Sequence, residues 1–308
     1  MKKFLFVVYL VLLMAARAPA APPPKTPILL DTDIGTDIDD AFALALVLES
    51  PELDLLGVTT VSGDTQARAR LAAKMLWEAG RKDVPVAAGE PGKSVPVEQT
   101  RWAEGFTSSQ IRSENAAAFL KAEIDRRPGE VTLVPIGPLT NVAALLRADP
   151  AVARKIKRIV LMGGSIARGY EPGSKLAAAE YNIAADPEAA QAVFSSGVPI
   201  LMVPLDVTAM LQLDGAGLHR VFARFTPLTD TLTVLYHLWG KETPTLFDPM
   251  AVAMIILPSL CETKELAIEV DSKGYTRVAE GRPPNTTVAL RTRPAKFFNF
   301  YLGRVAPN

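Results

Sequence analysis

The fold is decided near the start of the chain by residues 28–41, which read ILLDTDIGTDIDDA. A short apolar run leads into five aspartates within ten residues, and a strongly apolar helical stretch follows at once. Carboxylates this close repel one another, and burying them unpaired beside a sheet is costly. Ca²⁺ and Mg²⁺ prefer oxygen ligands and would remove that cost, while Gly35 permits the tight turn that lets the acids converge. The stretch predicts a strand, a metal-binding loop and a buried helix; the alternative is an acidic turn in which Asp39 or Asp40 only caps the helix.

The first twenty residues have the pattern of a secretory signal. Lys2-Lys3 is followed by apolar residues 4–14 and by the small-residue cleavage site Ala18-Pro19-Ala20. We expect cleavage after Ala20 and a periplasmic or extracellular protein, with a retained membrane anchor as the alternative. Residues 21–26 then form a short linker and residues 27–308 a single domain. No later stretch combines the length and apolarity of a membrane span, so we expect no stable membrane insertion.

Composition limits the partners. The 33 basic and 33 acidic residues balance, which argues against nucleic acid or an anionic membrane and favours a small-molecule substrate. Cys261 is the single cysteine, so the chain has no disulfide framework. With 49% hydrophobic residues, the core itself can supply the stability.

Apolar strand-like runs alternate with amphipathic helical stretches from residue 28 to residue 257. This alternation predicts the α/β class, with a doubly wound, mostly parallel sheet. Three later runs (266–271, 276–280 and 286–292) are expected to add a few antiparallel edge strands, followed by a terminal helix. Because right-handed crossovers place all parallel strand ends on one edge, and ligands bind there, several polar residues should meet at that edge. They are Asp31, Asp33, Asp64, Thr140 and Asp206.

Six short motifs carry a family resemblance. They are Asp31-Thr32-Asp33-Ile34-Gly35 with Asp39-Asp40-Ala41, Gly57 to Asp64, Gly137-Pro138-Leu139-Thr140-Asn141, Met162-Gly163-Gly164, Ala179-Glu180-Tyr181-Asn182, and Asp248-Pro249. From about Pro27 to the C-terminus the chain resembles the inosine–uridine-preferring nucleoside hydrolase family. The resemblance implies a Rossmann-like fold, hydrolysis of the N-glycosidic bond of ribonucleosides, Ca²⁺ at the base of the pocket, and a homo-oligomer (dimer or tetramer). Independently, cleavage of a ribosyl–base bond requires a carboxylate to activate water.

The resemblance also implies residue roles. Asp33 is similar to the general base. Calcium ligands are implied at Asp33, Asp40, Asp248 and the Thr140 carbonyl. Substrate contacts are implied at Asp39, Met162, Glu180 and Asn182. Asp31 is expected to brace the loop by accepting backbone N–H bonds. A simpler alternative remains for Asp248, Glu180 and Asn182, which could only cap helices.

Three departures from the family pattern affect these roles. Asp37 is an added acid without an assigned role, and Asp64 replaces an Asn and could bind a ribose hydroxyl. Phe247 stands where relatives carry a His associated with protonating the leaving base. Leaving-group activation must then come from elsewhere, and Trp239 could stack on the base while His237 or Tyr236 donates a proton. The alternative for these three is ordinary helix packing.

Two other function classes remain open. Asp31-Thr32-Asp33 faintly resembles the nucleophile loop of haloacid-dehalogenase-like phosphatases, but a matching Lys and acidic pair are not found. A ribose- or nucleoside-binding protein that has lost catalytic power is the second alternative, because Phe247 replaces the His. The intact set Asp33, Asp39, Asp40 and Asp248 argues against it.

Overall fold

The computed structural model of the protein describes residues 24–93, 97–171 and 173–307. The predicted signal sequence, residues 1–20, and the first part of the linker lie outside these ranges and stay predictions. Within the described ranges, no helix has both the length and the apolar character needed to cross a bilayer.

The core of the molecule is one eight-stranded sheet with the order β3-β2-β1-β4-β5-β6-β10-β7. A separate hairpin pairs β8 with β9. The strands are β1 Thr26–Thr32, β2 Leu53–Thr60, β3 Val86–Ala88, β4 Thr132–Pro135, β5 Arg158–Met162, β6 Ile200–Val203, β7 Cys261–Leu266, β8 Ile268–Val270, β9 Thr276–Val278 and β10 Thr286–Thr292. All neighbours in the large sheet pair in parallel except β10 and β7.

The edge of the sheet differs from the prediction in two respects. The strands within the predicted runs 266–271 and 276–280, β8 and β9, pair with each other in the separate hairpin and do not extend the sheet. Residues 286–292 do form a strand, β10, but it joins the sheet parallel to β6 and is not an antiparallel edge strand. The antiparallel edge is β7, which begins before the predicted run at 266–271. A hydrophobic run indicates that a strand forms, whereas its direction depends on which partner the connection reaches.

Helices cover both faces of the sheet. They are α1 Asp39–Leu48, α2 Thr65–Glu78, α3 Ala116–Arg126, α4 Thr140–Ala148, α5 Tyr181–Ala184, α6 Pro187–Phe194, α7 Leu205–Thr208, α8 Gly215–Phe222, α9 Pro227–Trp239, α10 Phe247–Ile256 and α11 Pro294–Val305, with 3-10 turns at Glu98–Ala103, Pro150–Lys155 and Pro258–Leu260. Alternate residues of β1 face opposite layers: Ile28 and Leu30 join one buried cluster and Leu29 joins the other.

Two helices that are buried almost throughout, α1 and α10, position the site. Both are apolar on all sides, and alanines such as Ala43 and Ala251 are fully buried. The last helix, α11, closes this layer: the Tyr301 hydroxyl donates to the Phe42 carbonyl at 3.0 Å. Because α1 begins at Asp39 and α10 places Asp248 in its first turn, their N-termini bring acids from distant parts of the chain to one sheet edge.

Candidate active site

A buried cluster of carboxylates lies where β1 ends and where α1 and α10 begin. Carboxylate oxygens of Asp39, Asp40 and Asp248 lie within 4.8 Å of one another. The backbone N–H of Asp248 donates to Asp39 Oδ2 at 3.2 Å, and the Thr32 hydroxyl donates to Asp40 Oδ1. Helix N-termini carry partial positive charge, which favours acids at these positions. The fold therefore fixes three of the predicted acids in a compact oxygen-rich site.

Asp33 follows β1 directly and lines the same cavity. Its loop is anchored by Ile34 and Ile38, both fully buried, and it turns at Gly35 with φ +111°, a conformation that other residues rarely adopt. Opposite, a Cβ placed on Gly137 would lie 2.8 Å from Asp33 Oδ1. Only glycine leaves room there, so the Asp33 carboxylate has one well-defined position.

The electrostatics of the cluster favour a bound cation. Burial, and then the surrounding carboxylates, raise the pKa of Asp39, Asp40 and Asp248 well above the usual range for aspartate. Burial also raises the pKa of Asp33 to about 6, although the charge of Arg68 opposes this shift. A divalent cation would relieve both the desolvation and the repulsion, and carboxylate oxygens are the ligands that hard cations prefer. These residues fit a metal ion.

Arg68 holds the Asp33 loop from behind. It is fully buried on α2, and its Nη1 donates to the carbonyls of Asp33 and Ile34, the latter at 3.0 Å. Its Nε donates to the Ser62 carbonyl at 2.8 Å. The sequence interpretation missed this residue. A signal was present, because Arg68 shares the helical face of the buried Leu71 and Ala72.

Asp31 lies in β1 and supports the site, as expected. The hydrogen bonds that its carboxylate accepts come from side chains, however, and not from backbone N–H groups. Its Oδ1 accepts hydrogen bonds from the Thr59 hydroxyl at 2.6 Å and from Asn141 Nδ2 at 2.8 Å. Burial raises the pKa of Asp31 to about 7. Asp31 does not line the cavity and so serves the scaffold.

Glu180, Asn182 and Met162 line the same cavity. Glu180 caps α5: its carboxylate accepts the N–H groups of Asn182 at 3.0 Å, Ile183 at 3.3 Å and Gly164 at 2.9 Å. Burial raises the pKa of Glu180 to about 7. Asn182 Nδ2 donates to the carbonyls of Ile136 and Met162, both at 3.1 Å. This orientation leaves the Asn182 Oδ1 without a partner among the described residues, available to a ligand hydroxyl.

An aromatic wall that the sequence interpretation missed completes the cavity. Tyr170 and Phe247 meet edge to face with ring centroids 6.1 Å apart, and both line the cavity with Tyr181. The Tyr170 hydroxyl accepts the Tyr181 N–H at 2.6 Å. Burial, and then the Glu180 carboxylate, raise the pKa of Tyr170. The loop between β5 and α5 that carries Tyr170 has no hydrophobic periodicity, so no sequence pattern indicated its position.

That loop is anchored at its start. Asp206 is buried and accepts the N–H groups of Ile166 at 2.8 Å and Ala167 at 2.9 Å. The Thr276 hydroxyl, on the β8–β9 hairpin, donates to the Ser165 carbonyl at 2.8 Å. The aromatic wall therefore stands on a supported backbone.

The structure corrects three predicted site residues, because none of them lines the cavity. Asp64 is exposed and caps α2, accepting the Ala67 N–H at 2.9 Å. Thr140, whose carbonyl was the expected ligand, is the first residue of α4 and does not line the cavity, and its hydroxyl donates to Asp186 Oδ2 at 3.0 Å. The residue of this segment that lines the cavity is Ile136. Trp239 ends α9, where it contacts Tyr236 with ring centroids 6.0 Å apart.

The neighbours of Trp239 on α9 also lie away from the cavity. Tyr236 donates to the Glu242 carbonyl at 2.6 Å, and His237 contacts the rings of Phe222 and Tyr236. Both residues therefore take part in ordinary helix packing, which was the alternative to a role in protonating the leaving base.

The assembled cavity has a volume of about 220 Å³. Its lining includes Asp33, Asp39, Asp40 and Asp248, together with Glu180 and Asn182. A sequence profile of the inosine-uridine preferring nucleoside hydrolase family matches residues 28–299.

The chain belongs to this family. This nucleoside hydrolase is 36% identical to the pyrimidine-specific ribonucleoside hydrolase RihA of Enterobacter sp. strain 638, over 91% of this chain and 97% of the relative. Its fold is similar to a plant nucleoside hydrolase (TM-score 0.82, 26% identity, 92% and 100% of the two chains). It is also similar to the purine-preferring ribonucleoside hydrolase from Gardnerella vaginalis (TM-score 0.77, 26% identity, 91% and 98%).

These matches confirm the predicted single-domain α/β fold and the predicted enzyme class, a ribonucleoside hydrolase. Members of this family depend on a metal ion, which agrees with the donor set of the acidic cluster.

Proposed function

We propose that the protein is a calcium-dependent ribonucleoside hydrolase in which Asp33 activates the attacking water. The observation that carries this proposal is that four buried carboxylates, from the loop after β1 and from the first turns of α1 and α10, line one cavity with Glu180 and Asn182 in a member of the nucleoside hydrolase family. Water attack and ribose recognition both need groups in these positions.

The choice of calcium rests on the ligand chemistry. Asp33, Asp40 and Asp248 would hold the ion, with Asp39 beside them, and all their donor atoms are oxygens. Ca²⁺ accepts six to eight such ligands in a flexible arrangement, whereas Mg²⁺ demands a near-ideal octahedron and retains several waters. When bound, the ion supplies positive charge that lowers the pKa of nearby water and neutralises the cluster.

Asp33 is suited to take the proton from water. Its carboxylate lines the cavity beside the acids that would hold the ion, so it is placed to accept the proton of a water whose pKa the ion lowers. The water oxygen bonds to C1′ as the C1′–N bond breaks, and the sugar passes through an oxocarbenium-like state. Arg68 and Gly137 keep the carboxylate in place for this step.

The ribose would lie between the acidic cluster and the pair Glu180 and Asn182. We assign the binding of its hydroxyls to Asp39, to the Glu180 carboxylate and to the free Asn182 Oδ1. Met162 lines the cavity between these groups and is placed to contact the sugar ring. Because the Glu180 oxygens are held by three N–H donors, little conformational entropy is lost when a sugar binds.

The test is ribose release from inosine, uridine, guanosine, adenosine and cytidine with Ca²⁺, with chelator, and with Mg²⁺ or Ca²⁺ restored. Release that returns with Ca²⁺ and is abolished by Asp33→Ala supports the proposal. Asp64→Asn is the matched control, because it removes a carboxylate outside the cavity and keeps a good helix cap. Full activity in chelator would refute the calcium dependence. Bound calcium without any release would refute the hydrolase and indicate a binding protein.

We further propose that the protein is exported, on the pattern of residues 1–20. N-terminal sequencing of the protein from a periplasmic extract should begin at Ala21. A mature form that retains Met1 would contradict this. The dimeric or tetrameric assembly likewise stays a prediction, which light scattering of the purified protein checks.

A further inference from the structure

Among the described residues that line the cavity, none is a histidine or lysine that could protonate the leaving base. A neutral nucleoside loses its base as an anion unless an acid protonates it. The whole chain contains two histidines, His219 and His237, and both lie on helices away from the cavity. The position next to Asp248 is Phe247, which cannot donate a proton.

The remaining candidate acids are poorly suited. The Tyr170 hydroxyl accepts the Tyr181 N–H and keeps its own proton, but its raised pKa makes that proton a weaker acid than the proton of an ordinary tyrosine. Tyr181 also lines the cavity, and a tyrosine hydroxyl is a much weaker acid than an imidazolium. Both oxygens of Glu180 already accept backbone N–H groups, so the carboxyl group is arranged as an acceptor. The cavity therefore offers only weak or already engaged acids, and it is better suited to leaving groups that need no proton from the enzyme.

The charge of the cavity points in the same direction. Six of the thirteen lining residues are acidic, and none of the described lining residues is Lys, Arg or His. The Arg68 guanidinium lies behind the loop, bonded to backbone carbonyls. A divalent cation would offset two of these negative charges, so an acidic surface remains.

Asp37, an acid outside the metal cluster, adds to this surface. Its carboxylate accepts the Ile38 N–H at 2.7 Å, and its carbonyl accepts Gln99 Nε2 at 2.9 Å, so the residue is fixed at the cavity wall. It is only partly buried, which allows it to face a bound heterocycle.

We propose that this site prefers ribonucleosides whose heterocycle is cationic, such as N-ribosylpyridinium or N7-alkylated purine nucleosides, and this inference rests on the proposed hydrolase function. The electron pair of the breaking C1′–N bond returns to the ring and cancels its positive charge. The water oxygen bonds to C1′, and the water proton passes to Asp33 and then to solvent. The products are ribose, a neutral base and one proton. The aromatic wall of Tyr170 and Phe247 offers π faces that attract such a cation.

The experiment compares kcat/KM for guanosine, 7-methylguanosine and 4-nitrophenyl riboside in the calcium-loaded enzyme. The first two differ by one methyl group and a charge, while the third is neutral but leaves without protonation. We expect 7-methylguanosine to exceed guanosine by about 100-fold or more, in line with the worth of a general acid. Asp37→Asn should lower kcat/KM for 7-methylguanosine about 3- to 10-fold more than for 4-nitrophenyl riboside, as the loss of one nearby charge predicts.

Asp64→Asn is the matched control, and it should leave the ratio of the two rates as in the wild type. Guanosine cleaved as fast as 7-methylguanosine would reveal a proton donor and overturn the inference. Equal losses for both substrates in Asp37→Asn would overturn the role of charge. If none of the three substrates is cleaved, the proposed hydrolase function itself fails, and this inference fails with it.

Discussion

Replacing Arg68 by methionine should destabilise the protein and impair the catalytic loop at once. The guanidinium is fully buried and donates to three carbonyls, those of Asp33, Ile34 and Ser62. Methionine fills most of the space of the arginine stem but leaves all three carbonyls without their donor. It also removes the positive charge that lowers the pKa of Asp33.

The magnitude follows from the number of lost partners. A buried polar group left unpaired costs about 1–3 kcal/mol, and removing one partner of a buried charged network about 3–5 kcal/mol. Part of this loss is offset because the charge itself no longer has to be buried. We therefore expect a loss of about 4 kcal/mol, which corresponds to a fall in Tm of roughly 10 °C for a domain of this size. The acid limb of the kcat/KM profile should move to higher pH, because loss of the charge raises the pKa of Asp33.

The assay is urea and thermal unfolding with calcium in excess, so that metal occupancy stays constant. Arg70→Met is the matched control: it lies on the same helix, is partly exposed, and should change stability by less than about 0.5 kcal/mol. Arg68→Lys, which keeps the charge but not the fork of donors, should fall between the two. If Arg68→Met were as stable as Arg70→Met, the loop would not depend on this guanidinium.

Three further perturbations test the site. Gly137→Ala would place a Cβ 2.8 Å from Asp33 Oδ1, so kcat should fall about 100-fold. Gly303→Ala is the control, because its Cβ would meet open space and kcat should stay unchanged. Equal kcat values for the two variants would contradict the close approach of Gly137 to Asp33. Tyr170→Phe removes the acceptor of the Tyr181 N–H, so KM should rise several-fold as the loop loosens, whereas an unchanged KM would show that the hydroxyl does not organise the wall. In chelator, the free energy of unfolding should fall as pH rises through about 6. The raised pKa of Asp33 means that its carboxyl group is protonated in the folded state below that pH. Above that pH, the folded state must bury the charged carboxylate without a cation beside it. Calcium should therefore raise Tm more at pH 8 than at pH 5.5 in differential scanning fluorimetry, and an equal increment at both pH values would argue against the carboxylate site.

The first strand, the loop and the first helix could be predicted because local signals agree there. An apolar run, a glycine in a tight turn and an unbroken apolar helix all specify the same structure, and Asp39 and Asp40 follow from it. Asp248 was predictable for a similar reason, since it precedes another uniformly apolar helix. The direction of β10 was not, because it depends on the partner strand and leaves no trace in the hydrophobic pattern.

The wrong assignments in the site come from small differences in position along the loops that join a strand to the next helix. Asp64 and Thr140 both follow strand ends, as Asp33 does, but each begins a helix and uses its side chain outside the cavity. A shift of a few residues along a strand–helix loop decides whether a group lines the cavity or caps the helix. Tyr170 could not be found from periodicity at all, because it belongs to an irregular loop whose path is set by contacts with distant residues such as Asp206.

The cavity is divided between two kinds of backbone. Asp39 and Asp248 are 209 positions apart in the chain, yet both stand on buried helices whose packing tolerates little change. Tyr170, in contrast, stands on the loop between β5 and α5, and such loops tolerate substitution and changes of length better than buried helices do. In the proposed function, substitutions in that loop would therefore change which heterocycle is accepted, while the acids that break the bond stay fixed on the buried helices.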